Sequence, residues 1–450
     1  MKKILIVGAG RSSTTLIEYL AGKSREFGWH LTLGDRDPEQ VQKKNSMTDR
    51  AIILDIFNEE QLNHEVQQAD IVISLLPARF HPVVALCCLR HSRSMLTASY
   101  ESAEMNDMAT RAKSQGILIL NEMGVDPGID HMSAMRVIDR LKRDGHELKC
   151  FETFTGGLIA PESDNNPWHY KVTWNPRNVV LAGQGGPARF IQEGTFKNIP
   201  YHRLFRRTEL IEIEGYGKFE GYANRDSLKY IEKYNLQGVP TVYRGTLRRP
   251  GFCRAWDVFV QLGATDDSYT LQKTEDMTYK EFINSFLYYS QVDPVKTKLY
   301  QYMHIDQDSD VREKLEWLGI FGDTRIGLKN ATPAQILEQI LCKKWALEPG
   351  DKDMLVMWHK FIFREAGTRQ NTLLTSSLVV TGDDPVHTAM AKTVGLPLGI
   401  AAKMVLTGQI KLTGTHIPTH PEIYEPVLSE LNRHGIAFRE KPGVWREEEE

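Results

Sequence analysis

The stretch from Lys2 to Asp37 leaves this chain few folds to choose from. "KKILIVGAG" is a lysine-led apolar run ending in glycines, the pattern of a strand buried on both faces of a parallel sheet. "RSSTTLIEYLAGKSREFG" carries Leu16, Ile17 and Leu20 at helical spacing. "WHLTLGDRD" is a second strand with an acidic end. Strand, glycine turn, helix, strand, acid is the order of a dinucleotide-binding βαβ unit. Gly8 allows the tight turn and Gly10 lets the backbone approach a pyrophosphate. Arg11 and Ser12 follow, and Ser13 stands where a third glycine is usual. The same spacing also occurs in ordinary βα turns. Its place after an N-terminal strand and ahead of Asp35 is what points to a nucleotide.

The alternation continues. "AIILDI" is a strand ending at Asp55-Ile56, and "DIVISLLP" a strand whose end, Leu75-Leu76, borders the nicotinamide side. "SMLTASYES" ends at Ser99-Tyr100, and "ILILNEMG" is a further strand. Open α/β sheets bind ligands outside the carboxyl ends of their strands. Gly10, Asp35, Asp55, Leu76, Tyr100 and Asp126 are therefore expected at one crevice. In "NEMGVDPGIDHMSA", Pro127 and Gly128 force a turn at its lip, Asp130 is expected to N-cap the next helix, and His131 to pack within it. Asp126 is expected beside the nicotinamide.

Asp35 also bears on cofactor choice. A carboxylate at the end of the second strand accepts hydrogen bonds from the adenosine ribose and repels the 2′-phosphate of NADP. Arg36 is a cation that argues the other way, but its long side chain can swing aside. NAD is expected over NADP, with NADP still possible.

A chain of 450 residues is long for one core, so two or three domains are expected. A formal net charge of -3 and the lack of a dense Lys/Arg run argue against nucleic acid as a partner. The apolar run at the start is too short for a signal peptide. No apolar stretch approaches the ~20 residues of a membrane span. Five cysteines without CxxC spacing fit a reducing cytoplasm. No metal is expected: His416 and His420 are separated by Pro418, and Cys87-Cys88 reads as core. The closing "WREEEE" reads as a solvated acidic tail.

From about residue 148 the rhythm changes. Strand-like runs without regular helices suggest a separate α+β domain. Residues 278–375 read as mostly helical, and the segment from about 385 as a return to the first domain. Arg225, Arg244 and Arg248 could recognise carboxylates, because a planar guanidinium matches one with two parallel hydrogen bonds. Arg225 and Arg248 read as loop positions, the latter after a Gly-Thr turn.

"GAGRSS", "SLLP", "SYES", "NEMGVDPGIDHMSA", "TGGLIAPESDNNPWHYKVTWNPR", "YANRDSLKY" and "YRGTLRRPGF" occur in one order over nearly the whole chain. Together they resemble the glutamate-forming saccharopine dehydrogenases. That resemblance implies a Rossmann dinucleotide-binding domain of residues 1–125 plus 385–450. It implies a central substrate and dimerisation domain, 126–384, with a cleft between the two, and a homodimer. The implied substrate contacts are Ser99, Tyr100, Asp126, Arg225 and Thr246-Leu247-Arg248. The implied cofactor contacts are Gly8, Gly10 to Ser13, Asp35, Arg36, Asp55, Ile56, Leu75, Leu76 and Trp174. Tyr100 and Asp126 are the candidates for proton transfer. Thr155 stands where fungal members carry a cysteine, so no thiol role transfers. The implied reaction is NAD(P)-dependent oxidation of saccharopine to glutamate and 2-aminoadipate 6-semialdehyde, or its reverse. A dehydrogenase of another imine-linked amino compound, such as a carboxyspermidine-type precursor, is the nearest alternative. A non-catalytic nucleotide sensor is the alternative from another class.

Overall fold

A computed structural model describes residues 1–445; the acidic tail expected at 446–450 lies outside the described residues. The chain forms two compact units. The first comprises Met1–Lys149, Lys233–Asn235 and the chain from His359 onward; the second comprises Cys150–Glu232 and Leu236–Trp358.

The first unit is built on a seven-stranded sheet. Its strands are β1 (Lys3–Val7), β2 (His30–Asp35), β3 (Arg50–Ile53), β4 (Ile71–Ser74), β5 (Ser94–Thr97) and β6 (Leu118–Leu120), completed by a tail strand, Gly414–His416. The spatial order is tail–β6–β5–β4–β1–β2–β3, and every pairing is parallel. Ile4, Leu5, Ile6 and Val7 of β1 are all buried, because helices cover both faces of a parallel sheet. The helices are α1 (Thr14–Phe27), α2 (Pro38–Lys44), α3 (Glu59–Gln68) and α4 (His81–Arg90), followed by further helices including Ile129–Arg143 and two from the tail. The sequence thus places its glycine turn, Asp35, Leu75 and Ser99 at the carboxyl edge of one sheet.

Several expectations need correction. The first unit runs on to Lys149 and resumes at His359, not at 125 and 385. The helix Ile129–Arg143 packs against the tail helix Pro421–Arg433, where Tyr424 donates a 2.6 Å hydrogen bond to Asp139. The expected helical stretch also ends early, at Lys344; Asp353–Arg364 and Asn371–Thr381 are long strands. Asp353–Arg364 is buried along most of its length, which hides the period of two that marks a half-buried strand. One helix, Ala389–Leu406, is long and apolar enough to cross a membrane by length and composition, contrary to the sequence reading. It is 72% buried and packs on α1 within the unit.

The second unit begins in β7 (Glu147–Ile159) and adds β8 (Ala188–Gln192), β9 (Thr195–Ile199), β10 (Glu209–Ile213), β11 (Gly217–Ala223) and β12 (Thr241–Arg248). The mixed sheet runs β10–β11–β12–β7, with β12 parallel to β7 and antiparallel to β11. Its core is aromatic. Trp168 and Trp345 lie 5.3 Å apart edge to face, and Tyr170 lies 5.0 Å from Trp345 and 5.4 Å from Phe252.

Candidate active site

In the first unit the glycine turn closes against β4. Gly8 has φ +111°, and a Cβ there would come within 3.1 Å of the Leu75 backbone, so a side chain would part the two strands. Gly10 is exposed, and a Cβ there would meet no protein atom within 4 Å. That leaves its backbone face open to a ligand, which fits a pyrophosphate laid against the turn. Ser13 is buried, and its hydroxyl donates to the Gly10 carbonyl at 2.8 Å. Arg11 and Arg36 are exposed; Ser12, Leu75 and Leu76 are half-buried. Asp35 turns back into the protein: its Oδ2 accepts from the Ala9 N–H at 2.6 Å, and its Oδ1 from the Asp37 N–H at 2.9 Å. Asp55 follows β3, is exposed, and accepts from the Phe57 N–H at 3.0 Å; Ile56 is buried.

At the same edge, β5 leads into Ser99 and Tyr100, both half-buried. Tyr100 donates its hydroxyl proton to Asp126 Oδ1 at 3.2 Å. The structure therefore brings the two expected proton-handling groups together. Asp126 enters a turn at Gly128, where φ is +146° and a Cβ would lie 2.1 Å from the Gly124 carbonyl oxygen. Only glycine fits there. Asp130 is not the N-cap, as expected, because Gly128 occupies that position. Its Oδ1 instead accepts from the Gly128 N–H at 2.6 Å.

Two buried groups that sequence reasoning passed over hold this corner. His81, at the start of α4, is 2% exposed. Its Nδ1 lies 2.9 Å from the Ser74 hydroxyl, and its Nε2 lies 2.7 Å from Ser99 Oγ and 3.1 Å from Thr97 Oγ1. Burial lowers its pKa to about 4, so the imidazole is neutral at working pH. Glu122 is 1% exposed; Oε1 accepts from the Glu101 N–H at 2.9 Å and Oε2 lies 2.7 Å from His131 Nε2. His131 Nδ1 also meets the Tyr234 hydroxyl. His131 is the packed helix residue the sequence suggested. A histidine ahead of a proline and a glutamate ahead of a methionine gave no signal that both would be buried.

The remaining expected residues lie in the second unit. Arg225 is exposed in the loop after β11, with φ 47°. Thr246, Leu247 and Arg248 are not a turn: they end β12, and Leu247 and Arg248 are buried. Gly245 resembles a turn glycine because it has no side chain, but Phe154 lies over it, and a Cβ there would sit 2.2 Å from that ring. Trp174 is half-buried just before the short helix Pro176–Val180, and Thr155 is buried in β7.

Arg248 is the most unusual of these. Arg248 is 6% exposed, and no ion pair to a carboxylate is found for it among the described residues. It stands 5.2 Å from the Tyr170 ring, 5.9 Å from Tyr222 and 5.3 Å from Phe252. Its Nη1 donates to the Leu247 carbonyl at 2.9 Å, and its Nε has no partner. Burial pushes Tyr222 up to about 12 against the pull of this cation, so the phenol is neutral and does not balance the charge. A buried cation among aromatic faces, with an unused donor, is arranged to receive an anion. Among the described residues no cluster suits a metal ion.

Comparison with known proteins adds the following. The saccharopine dehydrogenase NADP binding domain matches residues 4–120, and the saccharopine dehydrogenase C-terminal domain matches residues 124–436. The chain is 35% identical over 446 residues to the mitochondrial alpha-aminoadipic semialdehyde synthase of Mus musculus, covering 97% of this chain and 47% of that protein. It thus spans just under half the length of that relative. It is 33% identical to the saccharopine dehydrogenase [NADP(+), L-glutamate-forming] of Pyricularia oryzae, covering 98% and 99% of the two chains. The apo structure of the L-Glu-forming saccharopine dehydrogenase from Saccharomyces cerevisiae superposes with a TM-score of 0.88 at 31% identity, covering 99% and 100%. A homospermidine synthase from Legionella pneumophila shares the fold, with a TM-score of 0.57 at 9% identity over 99% and 92% of the chains.

Proposed function

The chain belongs to the saccharopine dehydrogenase family, and from that premise we propose that it oxidises saccharopine to L-glutamate and 2-aminoadipate 6-semialdehyde, or runs the reverse, in lysine metabolism. The observation that carries this reading is Arg248. Saccharopine bears three carboxylates, and Arg248 offers a buried guanidinium with an unused donor in an aromatic shell. Arg225, exposed on its loop, is a second candidate partner for a carboxylate.

A nicotinamide dinucleotide held at this sheet edge would supply the hydride acceptor for the substrate carbon next to the secondary amine. What this chain's own residues supply is orientation and proton handling. The amine must be neutral to react, and the water that hydrolyses the resulting imine must lose a proton. Asp126 holds the Tyr100 hydroxyl at 3.2 Å, so a proton that reaches Tyr100 has a carboxylate behind it. Ser99, fixed by His81, lies next to Tyr100 in the chain and offers a hydroxyl to the substrate.

The acceptor we assign is NADP, reversing the expectation drawn from Asp35. The matching domain model and the fungal relatives are named for NADP. Both Asp35 oxygens are committed to backbone N–H groups, which weakens its claim to the ribose, while Arg36 beside it is exposed.

The test mixes purified protein with saccharopine and either dinucleotide and follows the near-ultraviolet absorbance of the reduced nicotinamide. Growth with saccharopine, and none with carboxyspermidine, is expected. No turnover of saccharopine with either cofactor overturns the proposal.

A further inference from the structure

Lys44 ends α2, three residues after Val41 on the buried face of that helix, and is 7% exposed. Its ammonium lies beneath the glycine turn. It donates to the Ala9 carbonyl at 2.9 Å and the Gly10 carbonyl at 2.6 Å, and to the Ser13 hydroxyl. An ammonium has three N–H donors, so all are used inside the turn and none is left to reach a ligand directly. Asp35 grips the same turn from the other polarity, accepting from the Ala9 N–H at 2.6 Å.

We infer that Lys44 is a positioning residue for the dinucleotide: it draws the Ala9 and Gly10 carbonyls inward so that the turn presents its N–H face to the pyrophosphate. The inference rests on the dinucleotide-binding reading of this unit and goes beyond it. Carbonyl oxygens facing a pyrophosphate would repel it; an ammonium that holds two of them on the protein side removes that repulsion. Ser13 completes the device. A glycine in its place would offer Lys44 no third acceptor, so the departure from the usual glycine pattern and the buried lysine belong together. Burial lowers Lys44 to about 8, opposed by Asp35 and then Glu18, so the ammonium is mostly charged at neutral pH and adds a positive charge behind the cradle.

The experiment compares Lys44→Met with wild type by calorimetry, using NADP, ADP and adenosine as probes, with no substrate present. ADP carries the pyrophosphate and adenosine does not. Lys44→Met should weaken NADP and ADP by about tenfold or more, the scale of a charge-assisted contact, and leave adenosine within about twofold. Equal affinity of variant and wild type for NADP overturns the inference. Equal losses for all three probes also overturn it, because they mean that Lys44 only supports the fold. If Lys44→Met does not fold, Lys44→Gln, which retains a neutral donor, carries the same comparison with the same two overturning results. A wild type that binds no dinucleotide would instead overturn the reading on which the inference rests.

Discussion

Asp35 Oδ2 accepts a hydrogen bond from the Ala9 N–H at 2.6 Å, so the acid at the end of the second strand is a brace of the glycine turn. Replacing it changes the turn as well as the charge near the ribose. Asp35→Ser should lose kcat/KM with both NAD and NADP and cost about 1–3 kcal/mol of stability, the scale of an abandoned partner. Arg36→Ala should lower kcat/KM for NADP by about tenfold and leave NAD within a few-fold. Steady-state kinetics with both cofactors, plus denaturant unfolding, check this. A wild type that prefers NAD removes the NADP assignment.

Arg248 sets stability against recognition. A buried cation without a counter-charge costs folding free energy. Arg248→Met, which fills similar volume without charge, should be as stable as wild type or about 1 kcal/mol more stable. Its KM for saccharopine should rise by a factor on the order of a hundred, corresponding to about 2–5 kcal/mol for a desolvated charge contact. NADP affinity should not move. A variant that is folded but destabilised, with KM for saccharopine unchanged, would show that the guanidinium serves the aromatic core alone.

Asp126→Asn keeps the shape of the Tyr100 contact and removes the charge behind it. Turnover should fall by at least about tenfold, and the acid limb of the pH profile should shift. Normal turnover with an unchanged profile would leave Asp126 a turn residue.

His81 makes stability depend on pH. Its folded pKa is about 4, below the ordinary 6.5. Between those values the unfolded chain binds the extra proton and the native state does not, so stability rises with pH through this window and is lost as pH falls. The group can contribute up to about 3 kcal/mol of loss on going from pH 7 to below 4. His81→Gln should show a shallower fall in urea midpoint over that range. The same variant should raise the KM for saccharopine, because Ser99 loses the partner at 2.7 Å that orients it. Parallel stability curves for variant and wild type would contradict the neutral, buried assignment.

The nucleotide-binding sheet was legible because its signals are local. A buried parallel strand, a glycine turn and a helical repeat each declare themselves within a few residues, and the ligand edge follows from topology. Arg248 was misread because a strand glycine and a turn glycine look alike, and only the ring of Phe154, far away in sequence, tells them apart. The strand Asp353–Arg364 was misread because burial on both faces removes alternation. Lys44, His81 and Glu122 were invisible because polar residues are usually exposed. What buries them is a set of partners from other elements, which no local pattern encodes.

The tail strand Gly414–His416 pairs with β6, which ends at Leu120. As the polypeptide leaves the ribosome, β6 therefore emerges with one edge open. Leu118, Ile119 and Leu120, all buried in the finished protein, must wait for a partner that is translated after the whole second unit. An open edge of this kind is a template for foreign strands. The nucleotide-binding sheet, although begun first, therefore cannot be completed until Gly414 to His416 have been made.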